Sequence, residues 1–394
     1  MAAARANGAR IAIVGGGLGG TVAAILLHRA GHAVRVYEQA TGLERIGAGI
    51  NMDPQTMRIM RRLGIEHTLI ARGRVSETRY SRDWDTGEIT FDVPVARYPE
   101  LYGGCHFSIH RGDLQEILAA AVAPGIIDLG KRLTDLAETA TGVRLAFADG
   151  TVAEADIVIG ADGINSRVRE ILLGPELPIY TGGVAYRAVF PTALLGGLRP
   201  ADHVKWWADD KYLITYYLTR ARDEFYFMTL VPEPEWDAPD FAPQPADLAR
   251  MRGHFAGFHA EVQHTLAVTP RATRWAVCER KPFPFWSQGR IVMLGDACHP
   301  MAPHMGQGAA MAIEDAVVLF RCIDVFAATD HRRAFELYEQ LRFERASKVQ
   351  SESLKNRWLR YPMDPGWVFN YDPFAVPLTG VAAQSVADRM SGAA

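Results

Sequence analysis

The sequence has little of what marks secreted, metal-binding, membrane-spanning or nucleic-acid-binding proteins. Its 394 residues include only four cysteines, none of them in a CxxC pair, so we expect reduced, structural thiols. No stretch of about 18 apolar residues occurs, which predicts no membrane-spanning helix. A net charge of -3 gives no reason to expect nucleic acid or an anionic membrane as a partner. Because the first ten residues lack the apolar core of a signal peptide, we expect a cytoplasmic protein.

What the sequence does contain is the ordinary balance of a globular chain, with 48% hydrophobic and 22% charged residues. This length and balance predict a sizeable core and two domains. The oligomeric state stays open between a monomer and a homo-oligomer.

The most informative stretch is Ile11–Glu38, IAIVGGGLGGTVAAILLHRAGHAVRVYE. Its apolar pattern predicts a buried strand over 11–14, a helix over 18–30 and a second strand over 33–37. The residues at G-x-G-x-x-G spacing after the first strand are Gly15, Gly17 and Gly20. Such glycines permit a tight turn, close approach of a pyrophosphate and helix packing, and an acid about 20 residues later, here Glu38, binds a ribose. The stretch predicts a dinucleotide site and leaves NAD, NADP and FAD open.

A second stretch, ADIVIGADGINSRVR, places an acidic turn after a buried strand. The predicted strand 157–159 ends in Gly160-Ala161-Asp162-Gly163, and a helix bearing two arginines follows. A ligand site and an ordinary Asp-Gly turn are the two interpretations.

A third stretch, RIVMLGDACHPMAPHMGQGAAMAIEDAVVLF, repeats this order of elements. Its strand, 291–294, stops at Gly295-Asp296, and Gly308 opens a long helix whose first amides suit an anionic oxygen. The intervening loop carries His299 and His304, but no third ligand is spaced near them, so no metal site is expected.

Two shorter features each keep two interpretations. The glycine loop Gly47–Ile50 either brings backbone close to a cofactor ring or is an ordinary connection. In the segment HRGDL, Asp113 is predicted to be the N-cap of a helix over 114–122. Arg111 of the same segment either meets a phosphate or flavin edge or is a solvated arginine.

Aromatic and β-branched residues dominate the region 183–232, which predicts a mostly antiparallel sheet inserted as a second domain. In the strand predicted from Tyr212, side-chain alternation places Tyr212, Ile214 and Tyr216 on one face. These phenols either line an aromatic pocket or pack within the sheet.

The segments GGGLGG with Glu38, GADGINSRVR and LGDACHPMAPHMGQG, in this order, resemble the fingerprints of the class A flavin-dependent aromatic hydroxylases. The resemblance spans essentially the whole chain. It implies an α/β fold with a Rossmann-like FAD-binding domain, an inserted mostly antiparallel β-sheet substrate domain and a helical C-terminal region. It also implies FAD as cofactor, NADH or NADPH as a transient reductant without a nucleotide fold of its own, and a small aromatic substrate with O2.

The resemblance further implies which residues bind FAD and where the domains divide. Glu38 would meet the adenosine ribose, Arg111 and Asp162 the phosphate and ribityl region, and Asp296 the ribityl hydroxyls. The full set of expected cofactor-binding residues is Gly15, Gly17, Gly20, Glu38, Arg45, Arg111, Leu133, Asp162, Asp296 and Gly308. The expected FAD-binding domain comprises residues 1–77, 110–180 and 281–360, the last including C-terminal helices; the substrate domain comprises 78–109 and 181–280, and 361–394 is a tail.

Further segments, among them SRDWDTGE and VKWWADD, resemble a branch of this family that hydroxylates 6-hydroxynicotinate with loss of its carboxylate. In that branch Tyr216 and His304 fall at substrate-pocket positions. The branch has histidine where this chain has Asn51, cysteine where it has His203, and histidine where it has Tyr212. We hypothesise that the catalytic pocket comprises Asn51, His203, Tyr212, Tyr216 and His304, with a histidine favouring the deprotonated substrate and Tyr216 orienting it.

The family reaction passes through a flavin C4a-hydroperoxide, whose terminal oxygen attacks a ring carbon made electron-rich by an oxygen substituent. One interpretation of the substrate is 6-hydroxynicotinate, with decarboxylation. The second, based on the three departures, is a larger neutral hydroxypyridine or phenol that is hydroxylated without decarboxylation in natural-product tailoring. A flavin oxidase or a non-catalytic flavin-binding protein is the alternative from another class.

Overall fold

The computed structural model describes residues 8–42, 45, 48–238, 241–326 and 330–378. Gly47 of the predicted glycine loop and the predicted tail beyond residue 378 therefore lie outside the described residues.

In chain order the strands are β1 Arg10–Val14, β2 Ala33–Tyr37, β3 Gly49–Met52, β4 Arg74–Val75, β5 Arg79–Asp83, β6 Ile89–Asp92, β7 Phe107–His110, β8 Ile127–Asp128, β9 Leu133–Glu138, β10 Val143–Phe147, β11 Val152–Ala155, β12 Ile157–Gly160, β13 Ile179–Pro191, β14 His203–Trp207, β15 Tyr212–Tyr217, β16 Glu224–Pro232, β17 Gln244–Pro245, β18 Thr273–Glu279, β19 Ser287–Gln288 and β20 Ile291–Met293. The helices are α1 Leu18–Arg29, α2 Pro54–Leu63, α3 Glu66–Arg72, α4 Tyr98–Tyr102, α5 Arg111–Ala120, α6 Arg167–Leu173, α7 Leu248–His254, α8 Ala260–Val268, α9 Gly308–Phe326, α10 His331–Leu354 and α11 Gly366–Phe369.

Of the described strands, six form one sheet in the order β19-β20-β12-β1-β2-β8. Every neighbouring pair in it is parallel except β19 with β20. Parallel strands are covered on both faces and therefore need continuous apolar runs, which Ile11–Val14 and Ile157–Ile159 provide. The strand, helix and second strand predicted for residues 11–37 are confirmed as β1, α1 and β2.

A second sheet has the order β17-β18-β13-β16-β15-β14-β5-β6 among the described strands. Its pairs are antiparallel except for β14 with β5, which run parallel. One face is a buried apolar layer that includes Trp206, Leu213 and Phe227 and packs against α7 and α8. Because side chains alternate along a strand, the residues between these project from the opposite face. That opposite face lies against the parallel-sheet part of the molecule.

Two three-stranded sheets complete the described strands, in the orders β3-β7-β4 and β11-β10-β9. In the first, β7 pairs with β3, so that Gly49 lies opposite His110 and Asn51 opposite Ser108. The strand β3 thereby carries residues of the loop after Glu38 to the junction of the two large sheets.

A buried cluster of ion pairs joins α9 to α10. Arg342 donates from Nε to Asp315 Oδ1 at 2.7 Å and from Nη1 to Glu314 Oε2 at 2.8 Å. All three side chains are fully buried, and Arg345 also pairs with Glu314. The second oxygen of Asp315 accepts hydrogen bonds from the Gly295 N–H at 2.9 Å and from His299 Nε2 at 2.5 Å. The cluster therefore fixes the turn that follows β20.

Candidate active site

A cavity of about 360 Å³ lies between the end of the parallel sheet and the open face of the eight-stranded sheet. One end is lined by the glycine turn after β1, by the turn after β20 and by the start of α9. The other end is lined by aromatic and charged side chains of the eight-stranded sheet and by the loop around His304. A ligand in this cavity would touch both parts of the molecule.

The glycine turn has the geometry of a pyrophosphate-binding turn. Gly15 has φ +104°, and a Cβ there would lie 2.3 Å from the carbonyl oxygen of Ala161, so only glycine fits this tight turn. A Cβ on Gly20 would lie 2.1 Å from the Gly15 oxygen, since α1 packs closely on the strand. A Cβ on Gly17 would meet nothing within 4 Å and would project into open space. Gly15 thus permits the tight turn, Gly20 permits the close packing of α1, and Gly17 permits the approach of a ligand.

Glu38 closes this turn from the end of β2. Its Oε2 accepts from the Gly16 N–H at 2.7 Å and its Oε1 from the Ala40 N–H at 2.8 Å. The carboxylate is thereby fixed beside the glycine turn, the location in which an acid meets an adenosine ribose.

Arg111 and Asp296 face the same end of the cavity. Burial lowers the pKa of Arg111, and Asp296 opposes that effect. Burial raises the pKa of Asp296, whereas His299 and Arg111 lower it. Among the described residues no hydrogen-bond partner occupies the Arg111 guanidinium, so it is available to an anionic ligand. Gly308 also lines the cavity at the N-terminus of α9, where backbone amides are unpaired.

Five of the ten expected cofactor residues are not part of the cavity lining. Gly15 and Glu38 lie at the glycine turn described above, and the other three make contacts within the protein. Asp162 accepts from Ser166 Oγ at 2.6 Å and from the Val168 N–H at 3.1 Å, so its carboxylate supports the start of α6 while neighbouring residues line the cavity. Leu133 is buried in the apolar core on β9. Arg45 pairs with Asp113 and Glu224, which joins α5 to the eight-stranded sheet.

The prediction that Asp113 is an N-cap is wrong. Helix α5 begins at Arg111, and its N-cap is His110, whose Nδ1 accepts the Gly112 N–H at 3.1 Å. Asp113 lies in the first helical turn, where its carboxylate pairs with arginines instead.

The aromatic end of the cavity is formed by alternate residues of β15 and β16. Tyr212, Ile214 and Tyr216 all line it, together with Tyr226 and Met228 on the neighbouring strand. The rings of Tyr216 and Tyr226 lie 4.8 Å apart, and a Cβ on Gly49 would come within 2.7 Å of both rings. Burial raises the pKa of Tyr216 well above its ordinary value, so this phenol stays protonated and can donate a hydrogen bond.

His304 and Tyr212 form a hydrogen-bonded pair at this end. Tyr212 Oη lies 3.1 Å from His304 Nδ1. Burial, reinforced by the positive charge of Lys205, lowers the pKa of His304 to about 3. Burial raises the pKa of Tyr212, so we infer that the phenol donates to Nδ1 and that His304 carries its proton on Nε2.

His203 and Asn51 lie one layer apart at the edge of the cavity. Asn51 lines it, whereas His203 is only 1% exposed and does not. Ser108 donates to Asn51 Oδ1 at 2.8 Å, and Asn51 Nδ2 lies 3.3 Å from His203 Nε2. The His203 ring also stacks on Tyr216 with centroids 5.4 Å apart. His203 therefore supports Asn51 and Tyr216 from behind.

The sequence analysis missed a polar group at the floor of the cavity. Asp53 accepts from His106 Nδ1 at 2.7 Å and from Gln307 Nε2 at 2.7 Å, and Arg79 lies 3.7 Å away. Lys205, also missed, lines the cavity from the centre of β14. Strand alternation from His203 would have placed Lys205 on the correct face, because the two are two residues apart.

The depressed pKa of His304 predicts a pH dependence of stability. The unfolded chain binds a proton at His304 below about pH 6.5, whereas the folded chain does so only near pH 3, so this residue makes stability fall as pH drops through that window. His304→Gln should reduce the slope of unfolding free energy against pH by up to about 1.4 kcal/mol per pH unit. Urea denaturation from pH 4.5 to 6.5 measures this slope. Equal slopes in the wild type and in His304→Gln would contradict the assignment.

In the part of the chain that the structure describes, no three His, Cys, Asp or Glu side chains are grouped so as to hold a metal ion. None of its helices is long and apolar enough to cross a membrane.

Comparison with known proteins agrees with this site. A family model described as FAD binding domain matches residues 9–232 and 248–353. The 6-hydroxynicotinate 3-monooxygenase of Bordetella bronchiseptica is 52% identical over 371 residues, covering 94% of this chain and 97% of that protein. The Pseudomonas fluorescens protein of the same name is 50% identical, covering 94% and 96%. The crystal structure of Klebsiella pneumoniae HpxO with FAD and uric acid superposes with a TM-score of 0.77 at 29% identity, covering 88% of this chain and 87% of that one.

Proposed function

Because this chain belongs to the FAD-binding family of flavin-dependent aromatic-ring monooxygenases, we propose that it hydroxylates a hydroxypyridine-type ring. The observation that carries this proposal is a cavity in which a dinucleotide-binding turn faces a layer of tyrosines and a neutral histidine. We further propose that the eight-stranded sheet is the substrate domain, inserted between segments of the FAD-binding part.

The residues at the glycine end fit FAD. Gly17 leaves open space that a pyrophosphate would occupy, and Glu38 is held beside the turn, where it would meet the ribose. The Arg111 guanidinium lines the cavity and has no hydrogen-bond partner among the described residues. Asp296 and the first amides of α9 would meet the flavin end. When bound, FAD would supply the activation of O2 after reduction by NADH or NADPH. The sequence has one dinucleotide turn, so the nicotinamide would visit the site without a fold of its own.

The chain's own residues would bind and orient the ring and hold its protons. The Tyr216 hydroxyl stays protonated and can donate to a ring oxygen or nitrogen. His304 is neutral, and its Nε2–H is directed by the Tyr212 hydrogen bond on the other nitrogen. A hydrogen bond from Nε2 to the ring hydroxyl oxygen would stabilise the ionised ring, which is the more nucleophilic form. The packed tyrosines and Met228 would exclude water from the reacting face.

We expect Tyr216→Phe and His304→Ala each to lower kcat/KM by about 10-fold or more and to reduce the product formed per NAD(P)H oxidised. Loss of a donor to the ring allows misplacement of the reacting carbon, so oxygen is reduced without hydroxylation. Product and hydrogen peroxide are measured side by side. Tyr217→Phe is the control, because Tyr217 lies on the opposite face of the same strand and bonds to the Pro200 carbonyl. Unchanged coupling in both cavity variants would contradict these roles.

The substrate is tested by a screen of hydroxypyridines and phenols for stimulated oxidation of NADH or NADPH. Product masses separate 6-hydroxynicotinate hydroxylation with loss of CO2 from addition of oxygen to a larger neutral ring. Oxygen consumption without any nicotinamide would instead identify an oxidase, and a flavin that no aromatic compound makes reactive would identify a binding protein.

A further inference from the structure

We propose that the ring substrate is anionic and that the Lys205 side chain holds its anionic oxygen. This inference rests on the proposed function and narrows its substrate class. It favours an acidic hydroxypyridine over the larger neutral ring that the substitutions at Asn51, His203 and Tyr212 also allow.

Lys205 is a buried amine that faces the cavity without an acidic partner among the described residues. Its residue is 6% exposed, and it lies on the face of β14 that lines the cavity. The Nζ atom lies 3.8 Å from the ring centroids of both Trp207 and Tyr212. It donates weakly to the His304 carbonyl oxygen at 3.3 Å and to Asn356 Oδ1 at 3.4 Å. Both acceptors are neutral, and no carboxylate among the described residues pairs with Nζ.

The charges around the cavity leave the aromatic end short of negative charge. Asp53 is already engaged by His106, Gln307 and Arg79. Asp296 faces Arg111 at the glycine end. Both carboxylates in the described lining therefore already face cations other than Lys205. A neutral ring would leave the Lys205 amine without a charged partner, whereas an anionic ring would stabilise its protonated form.

Three other cations line the cavity. Arg79 lies beside Asp53, Arg111 faces Asp296 at the glycine end, and the Arg187 guanidinium lies over the Trp275 ring at 4.7 Å. Lys205 is distinguished by its contacts with Tyr212 and with the His304 backbone, the pair proposed to meet the substrate ring. Burial lowers its pKa well below the ordinary value, and the positive charges of Arg79 and Arg360 add to this effect. An anion bound at Nζ would raise the pKa of Lys205 and so oppose the effects of burial, Arg79 and Arg360.

The test measures ligand binding to FAD-loaded enzyme by calorimetry. The ligands are 6-hydroxynicotinate, nicotinate, which keeps only the carboxylate, and 2-hydroxypyridine, which keeps only the hydroxyl. The variants are Lys205→Met, Lys205→Gln, which keeps a donor without the charge, and Lys205→Arg, which keeps the charge. Lys211→Met is the matched control: it removes one positive charge from the lysine immediately before β15, which bonds to the His254 carbonyl outside the cavity. FAD content and Tm establish that each variant is folded.

We expect Lys205→Met and Lys205→Gln to weaken 6-hydroxynicotinate binding by about 30-fold or more, the effect of truncating one partner of a buried charge pair. Lys205→Arg should recover part of the loss and Lys211→Met should bind as the wild type does. An equal loss for nicotinate identifies the carboxylate as the bound oxygen, and a loss that 2-hydroxypyridine shares but nicotinate does not identifies the ring oxygen.

Binding of all three ligands by Lys205→Gln within about threefold of the wild type would overturn the inference, because the charge would then be unnecessary. Failure of the proposed function is seen separately. Wild-type enzyme that binds these ligands but oxidises NADH and NADPH no faster with any of them would refute the monooxygenase while leaving the role of Lys205 intact.

Discussion

Gly17→Val should yield a folded protein that has lost FAD. The backbone at Gly17 has φ -68° and ψ -175°, which any residue adopts, and a Cβ there meets no protein atom within 4 Å. The added side chain would occupy the space that the pyrophosphate needs. Overpacking of this kind costs up to about 3 kcal/mol, so we expect about 100-fold weaker FAD binding. Equilibrium titration of apoprotein with FAD measures the loss, and the Tm of the apoprotein should change by only about 2 °C.

The contrasting variant is Gly20→Val, three residues further along the same turn. A Cβ at Gly20 would lie 2.1 Å from the Gly15 carbonyl oxygen, so this change must disturb the packing of α1 against β1. We expect it to lower the Tm of the apoprotein as well as FAD binding. If Gly17→Val retained FAD at wild-type affinity, the pyrophosphate would not lie at this turn.

Arg342→Met should lower the free energy of unfolding by about 3–5 kcal/mol, because it removes the cation that Glu314 and Asp315 share and leaves Asp315 without an arginine, while Glu314 keeps only Arg345. Glu314 and Asp315 are both fully buried and both accept from Arg342 at 2.7–2.8 Å. Asp315 also holds the Gly295 N–H, so the turn that carries Asp296 should loosen and FAD should bind less tightly. Urea unfolding of the apoprotein measures the stability term without a contribution from cofactor.

Arg332→Met on the same helix is the control for this stability change. Arg332 is largely exposed and lies 3.9 Å from Glu336, an arrangement that contributes about 0–1 kcal/mol. A loss below about 1 kcal/mol for Arg342→Met would mean that Arg345 alone can neutralise both acids.

Local sequence patterns were sufficient to predict the strands, turn and helix at the glycine end of the cavity. The strand, glycine turn, helix and second strand of residues 11–37 depend on neighbours in sequence, and the face shared by Tyr212 and Tyr216 follows from strand alternation. Asp162 and Arg45 show the limit of such reasoning. An aspartate before a helix can bind a ligand or support the helix, and only the positions of Ser166 and Val168 decide between them.

The floor of the cavity could not be read from local sequence, because its residues meet only in three dimensions. The residues in contact there come from four separate segments, and no spacing in the sequence predicts their contact: they are Asp53, Arg79, His106 and Gln307. His203, which was predicted to surround the ring together with Tyr216, pairs with Tyr216 across β14 and β15 but does not line the cavity. Its burial behind Asn51 depends on the register of β3 with β7, which the sequence does not specify.

The pairing of β5 with β14 also constrains the order in which the chain can fold during synthesis. Strand β5 ends at Asp83 and cannot pair with β14 until the residues from His203 onward have been synthesised. The parallel sheet gains β20 only after Ile291 has been synthesised. Each sheet therefore has an unpaired edge until the ribosome has released most of the chain. Because these contacts are distant in sequence, their loop-closure entropy is met late. The eight-stranded sheet has its last strand, β18, once Glu279 has been synthesised, before the parallel sheet gains β19 and β20. The cavity between them is consequently one of the last features of the molecule to form.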